Sequence, residues 1–139
     1  MTGSISVVDA NVFVSIFAAE PDGDRWLSKL EGRHWIAPKL ARFECAVVFA
    51  RKARLGSMSK PQAAAALAAL DAASIAWTPS DDPAVDRAFA LSLGVGHELA
   101  DCVYLATALA AKAPLATADA KLATVAARQG VEVLALGIA

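Results

Sequence analysis

Of the 139 residues only Cys45 and Cys102 are cysteines. Two thiols without CxxC spacing build neither a disulfide framework nor a zinc knuckle. Both lie in apolar stretches, where they read as small buried hydrophobes of a reducing compartment. Charge is also sparse: 19% of residues are charged and the formal net charge is −1. That excludes a highly charged disordered chain and at first sight speaks against a nucleic-acid partner. No apolar run reaches the roughly 18–20 residues that a membrane span needs. Met1-Thr2-Gly3-Ser4 lacks a basic n-region leading into an apolar stretch. Export is therefore not expected, and a cytoplasmic protein with no membrane contact is. The phosphate loops GxGxxG and GxxxxGK[ST] are missing, as is a GxSxG elbow. The histidines, His34 and His97, are too far apart for zinc-ligand spacing. A structural role is expected for each, with His97 close enough to Asp101 to be a minor candidate for substrate contact.

What the chain has in quantity is apolar surface, 57% of its residues, and about a quarter of them are alanine, the strongest helix former. The β-branched stretch Ile5-Ser6-Val7-Val8 predicts a buried strand. Further short strands are predicted at 34–37, 74–78, 114–117 and 131–136. Helices are expected over 11–19, 24–30, 40–55, 60–73, 80–94, 98–112 and 119–129. Pro38 is placed as an early residue of the 40–55 helix, and Ser59 as the N-cap of the next. Strands alternating with helices imply an α/β fold with a mostly parallel sheet of about five strands. With no repeat and no linker-like segment, residues 1–139 are expected to form a single domain.

In such a sheet, ligands bind beyond the carboxyl ends of the strands. Asp9 follows the first strand directly, and Asp119 follows Leu115-Ala116-Thr117. Glu44 and Asp101 stand within apolar helical runs, Phe43-Glu44-Cys45-Ala46-Val47-Val48-Phe49 and Leu99-Ala100-Asp101-Cys102-Val103-Tyr104-Leu105. Each of these acids is a lone carboxylate in mainly apolar company, whereas Glu20, Asp22, Asp24, Asp81, Asp82 and Asp86 lie among polar residues. An ionised carboxylate buried without compensation costs several kcal/mol. A hard divalent cation, Mg²⁺ or Mn²⁺, relieves both that cost and the mutual repulsion. The same acids also admit plain structural roles, as helix caps or as partners of Lys39, Arg42 or Lys121. Asp71 has apolar neighbours too and reads as an exposed acid on an Ala-rich helix. Other carboxylate chemistries fit less well: a receiver domain wants an acidic pair after strand one, and a haloacid-dehalogenase phosphatase wants Asp-x-Asp, whereas here the run is Asp9-Ala10-Asn11.

The stretches Val7-Val8-Asp9-Ala10-Asn11-Val12, Pro38 through Glu44, Ala100-Asp101-Cys102-Val103-Tyr104-Leu105-Ala106-Thr107-Ala108 and Leu115-Ala116-Thr117-Ala118-Asp119-Ala120-Lys121-Leu122 together resemble the PIN-domain ribonucleases. Within that family the chain is most similar to the VapC toxins of type II toxin–antitoxin pairs. The resemblance implies a PIN-like α/β/α sandwich and a metal-dependent endoribonuclease that hydrolyses RNA phosphodiester bonds. It implies that Asp9, Glu44, Asp101 and Asp119 are the catalytic acids binding Mg²⁺ or Mn²⁺, with Thr117 and Asn11 supporting the site. Asn11 stands where the family more often has Ser or Thr, and Leu122 where some relatives carry a further polar residue. A cognate VapB-type antitoxin, an RNA substrate and a homodimer are the partners implied. The alternatives are a non-catalytic PIN-like module that binds RNA or protein, and a metal-dependent phosphatase or DNA nuclease on the same architecture.

RNA must also be held. Arg51 and Lys52 lie seven and eight residues beyond Glu44, about two helical turns along the same face, and are candidates for phosphate contact. Trp26 and Leu30, on the early helix, are candidate apolar contacts for an antitoxin or, equally, core residues. The near-zero net charge hides a division: residues 25–60 carry nine basic and two acidic side chains, close to +7, and the rest of the chain about −8.

Overall fold

The computed structural model describes residues 4–137, so Met1–Gly3, on which the export expectation rests, and Ile138–Ala139 lie outside it. The chain runs β1 (Ile5–Val8), α1 (Ala10–Phe17), α2 (Gly23–Leu30), β2 (His34–Pro38), α3 (Leu40–Arg54), α4 (Lys60–Ala72), β3 (Ile75–Thr78), α5 (Asp82–Val95), α6 (Leu99–Ala111), β4 (Leu115–Ala116), α7 (Ala120–Arg128) and β5 (Val133–Leu134). All strand pairs are parallel, in the order β3-β2-β1-β4-β5, and helices flank the sheet as an α/β/α sandwich.

β1 is central and buried on both faces, with Val7 and Val8 wholly inaccessible. That is the expected state of an apolar β-branched strand in an all-parallel sheet. In register, Val7 lies beside Ile36 on one side and Leu115 on the other. Because β2 and β3 extend to one side and β4 and β5 to the other, strand order reverses at the β1–β4 boundary. The carboxyl ends of β1 and β4 therefore open into the crevice where ligands of such sheets bind. Under the opposite half of the sheet the core is aromatic: the Phe13 ring lies 6.2 Å from Phe17, 6.3 Å from Trp35 and 6.1 Å from Trp77, all tilted.

Several boundaries differ from the expected ones. Pro38 ends β2 rather than opening α3, pairing with Thr78; at a strand terminus its missing N–H costs no ladder bond. Gly94 does not stop α5, which continues to Val95 and closes on Gly96 in the left-handed region, φ 69°. The last strand shrinks to Val133–Leu134, pairing only with the two-residue β4. Trp26 and Leu30 are core residues, 1% and 0% exposed, so they offer no surface to a partner. With Gly23 they form the buried stripe of α2, which packs on α1. Gly23 permits that approach: a Cβ there would lie 2.5 Å from the Ser15 carbonyl oxygen. The Ser59 cap stands as expected, in a full capping box with Gln62. Among the described residues no helix is long and apolar enough to cross a membrane.

Candidate active site

Asp9 leaves β1 as the N-cap of α1 and is 6% exposed. Its backbone N–H still belongs to the sheet, donating to Ala116 O at 3.0 Å. Its side chain is reached from β4's end: Thr117 Oγ1 donates to Asp9 Oδ2 at 2.8 Å, and the same hydroxyl accepts the Asp119 N–H at 3.0 Å. One buried threonine thus ties together the ends of both strands at the switch point. Asn11 makes a second tie, its Oδ1 accepting the Ala118 N–H at 3.2 Å. Asp119 caps α7, its Oδ1 accepting from the N–H groups of Lys121 (2.9 Å) and Leu122 (3.2 Å). The capping role and a role at the site are compatible, because a cap uses one oxygen and leaves the other. Leu122 is buried core, which accounts for an apolar residue there.

The other two acids come from helices. Glu44 on α3 accepts a hydrogen bond from the phenol of Tyr104 on α6. Asp101, in the first turn of α6, is 2.7 Å from His97 Nε2. Tyr104 is a contact that was not anticipated. Its signal was present: the chain's single tyrosine, three residues after Asp101 in an apolar helix, is a buried phenol that requires a partner.

Burial raises the Asp9 carboxyl from its ordinary 3.8 to about 7; the Thr117 hydrogen bond opposes this, and the charges of Asp101 and Glu44 add to it. Glu44 is raised by burial, against its Tyr104 bond, with Asp101 contributing. Asp101 is raised by burial, against its His97 contact, with Asp119 contributing. Each acid therefore lies in the field of another. Cys45, close by, is no nucleophile: burial pushes its thiol up to about 12.

The donor set consists of carboxylates backed by a hydroxyl and an amide, the chemistry a hard divalent cation selects. A cation would also remove the repulsion that now raises three of the carboxyls. Among the described residues no three Asp, Glu, His or Cys side chains are drawn into one ligating cluster. The acids share a field rather than a common point. By donor chemistry the residues fit such an ion.

Of the expected RNA-contacting pair, Arg51 is exposed on α3, whereas Lys52 is bound 2.7 Å from Glu20, itself reached by Ser15 at 3.3 Å. Arg42, considered above as a partner for a site acid, instead makes a two-pronged pair with Asp71, at 2.7 and 2.9 Å. Asp71 is thus an exposed ion-pair member, as read. A cleft of about 480 Å³, lined among others by Ser15, Arg25, Thr117 and Asp119, reaches one of the four acids, Asp119. A separate hollow of about 730 Å³, bounded by Ile16, Phe17, Leu27, Arg33 and Trp35, contains none of the acids.

Comparison with known proteins follows this geometry. The PIN-domain family pattern matches residues 6–128, from β1 to the end of α7. Among solved structures, PAE2754 from Pyrobaculum aerophilum superposes with a TM-score of 0.70 at 20% identity, covering 94% of this chain and 84% of its own. VapBC2 from Rickettsia felis, bound to a DNA fragment from its promoter, gives 0.70 at 14% identity, with 94% and 98% covered. A toxin–antitoxin complex from Klebsiella pneumoniae gives 0.62 at 18% identity, with 85% and 89% covered. These likenesses show a shared fold. No curated protein matches the chain. The PIN family is one of nuclease-type hydrolases that generally use a divalent metal. On the span of that family match, the chain belongs to the PIN-domain family.

Proposed function

We propose that the chain is a metal-dependent endoribonuclease of the VapC kind: a single-domain cytoplasmic toxin, acting as a homodimer and held in check by a cognate VapB-type antitoxin. The observation that carries the reading is the buried Asp9 carboxyl at the sheet's switch point, held by Thr117 and lying in the field of Asp101 and Glu44. A buried carboxylate in the field of others is costly to the fold and is the arrangement that a bound cation relieves. Membership of a nuclease family and a fold shared with toxin–antitoxin proteins support it further.

Asp9, Asp101 and Asp119 would hold Mg²⁺ or Mn²⁺ directly or through water, with Glu44 orienting water or holding a second ion. Bound there, such an ion supplies Lewis-acid polarisation of a phosphate oxygen and a water acidic enough to attack at neutral pH. The chain's own residues do the rest. Thr117 and Asn11 keep the two strand ends, and so Asp9 and Asp119, in fixed relation. Tyr104 holds Glu44. Arg51 is free to meet a phosphate flanking the scissile bond, and Lys52 can do so by exchanging Glu20 for it.

The test is cleavage of a structured RNA by purified protein in Mg²⁺ or Mn²⁺ and in EDTA. Cleavage that needs the ion and is abolished in Asp9→Asn and Asp101→Asn is expected. Cleavage that persists in EDTA or in Asp9→Asn would overturn the reading. Toxicity on expression, relieved by the product of a small adjacent reading frame, distinguishes a toxin from a housekeeping nuclease.

A further inference from the structure

We propose that His97 is a positioning residue: its ring holds the Asp101 carboxylate toward the other acids, and so prepares the site for its cation. The inference rests on the function proposed above and names a residue outside the acid set. Nε2 of His97 lies 2.7 Å from Asp101 Oδ2, and both side chains are largely shielded, 14% and 21% exposed.

The turn that carries His97 is fixed through its backbone. Gly96, at φ 69°, caps α5 by donating to Ser92 O at 2.9 Å. The His97 carbonyl accepts from the Ser92 hydroxyl, and from Cys102 Sγ at 3.8 Å. α5 and α6 are thereby pinned to one carbonyl, and that anchoring does not use the imidazole. The ring's hydrogen bond is to Asp101. A histidine that served only to hold the corner would not need its ring.

Asp101 has a competing destination. It is the third residue of α6, and the N-cap residue, Glu98, makes no side-chain capping bond. A side-chain acceptor at that position is placed to reach back to the free N–H groups of the helix start, as Glu or Gln does in a capping box. The pull is strengthened by the helix dipole and by repulsion from Asp119, which acts on Asp101. His97 opposes these. Removing the ring frees the carboxylate to fold onto its own helix end, which lowers the share of molecules in which Asp101 is available to a cation. Partners that orient a metal ligand are typically worth about 10–100-fold in affinity.

Mn²⁺ binding to the purified protein, followed by electron paramagnetic resonance and by calorimetry, needs no RNA and no turnover. His97→Ala is expected to weaken Mn²⁺ about 10–100-fold with its melting temperature little changed. His97→Gln, whose amide N–H reaches a similar point, is expected to recover most of the loss. With RNA at limiting Mn²⁺, kcat/KM should fall in His97→Ala, and raising Mn²⁺ to saturation should restore much of it. Should His97→Ala not fold, His97→Phe, which fills the space without a donor, takes its place. Undiminished Mn²⁺ binding in the ring-less variant, or His97→Gln no better than it, overturns the assignment alone. A parent protein that binds no Mn²⁺ overturns both this assignment and the metal-dependent function.

Discussion

Asp9→Asn offers a test of the site that needs no substrate. The Asp9 carboxyl ionises near 3.8 in an unfolded chain and near 7 in the folded one, chiefly because the folded chain removes it from water. Between those values the folded state binds the proton more tightly, so stability falls as pH rises through the window. The sign is opposite to that of a salt-bridged aspartate. Well below pH 3.8 Asp9 is neutral in both states and costs nothing. Above pH 7 the folded protein must carry a buried anion, and the displacement from 3.8 to about 7 is equivalent to about 4 kcal/mol. Asn keeps an oxygen for Thr117 and never ionises. Urea denaturation in EDTA at a series of pH values from 4 to 8 is expected to show the stability of Asp9→Asn rising relative to the parent, by up to about 4 kcal/mol. Any fixed packing penalty of Asn is the same at every pH and cancels from that trend. Saturating Mn²⁺ should then return stability to the parent alone. A parent-minus-variant difference that stays flat from pH 4 to 8 would refute the desolvation argument, and with it the claim that Asp9 is held as a costly anion awaiting a cation.

The remaining predictions concern the frame of the site. Tyr104→Phe leaves the half-buried Glu44 without its donor; urea denaturation should show a loss of about 1–2 kcal/mol, with the Glu44 carboxyl, already raised, moving further up and kcat falling. Asp119 is separable into cap and charge: Asp119→Ala should cost about 1 kcal/mol through the lost α7 cap, while Asp119→Asn keeps stability, and RNA cleavage should be lost in both. Gly23→Ala drives a methyl to 2.5 Å from the Ser15 carbonyl and should destabilise by about 1–3 kcal/mol, measured by denaturation, without altering metal affinity.

The candidate acids stood out in the sequence because charge is conspicuous in apolar company, and the structure shows that such company is not always buried. Asp9 follows Ser6, Val7 and Val8, whose side chains are wholly covered, and its own burial is what raises its carboxyl. Asp71 has equally apolar neighbours along the chain, yet α4 is apolar by alanine content, and Asp71 ends at the surface against Arg42. Partners distant in the chain were harder to read: Thr117, which meets Asp9 across 108 residues, was expected at the site only through the family resemblance, and the meeting of Glu44 with Tyr104 across 60 residues was not expected at all. Trp26 and Leu30 stayed open between core and partner contact for a related reason. A stripe spaced for one helix face marks a buried face without saying whether the chain's own core or a partner covers it.

Charge shows the same divide between counting and placement. The segment 25–60 carries close to +7 by composition. Three of its cations are met by acids from outside the segment: Arg25 by Asp22, Arg42 by Asp71 and Lys52 by Glu20. The surplus open to an incoming polyanion is therefore nearer +4. Arg33 is further turned inward to Ser6 Oγ at 2.9 Å, and Lys39 lies over the Trp77 ring at 5.4 Å. Much of the basic segment is thus engaged in contacts within the fold, which leaves a reduced cationic surplus in a chain whose candidate acids share one field. Phosphate approaching those acids meets net repulsion unless a cation is in place. On this charge distribution, substrate affinity as well as chemistry depends on the ion, and Mg²⁺ or Mn²⁺ belongs to RNA recognition as much as to hydrolysis in the function proposed.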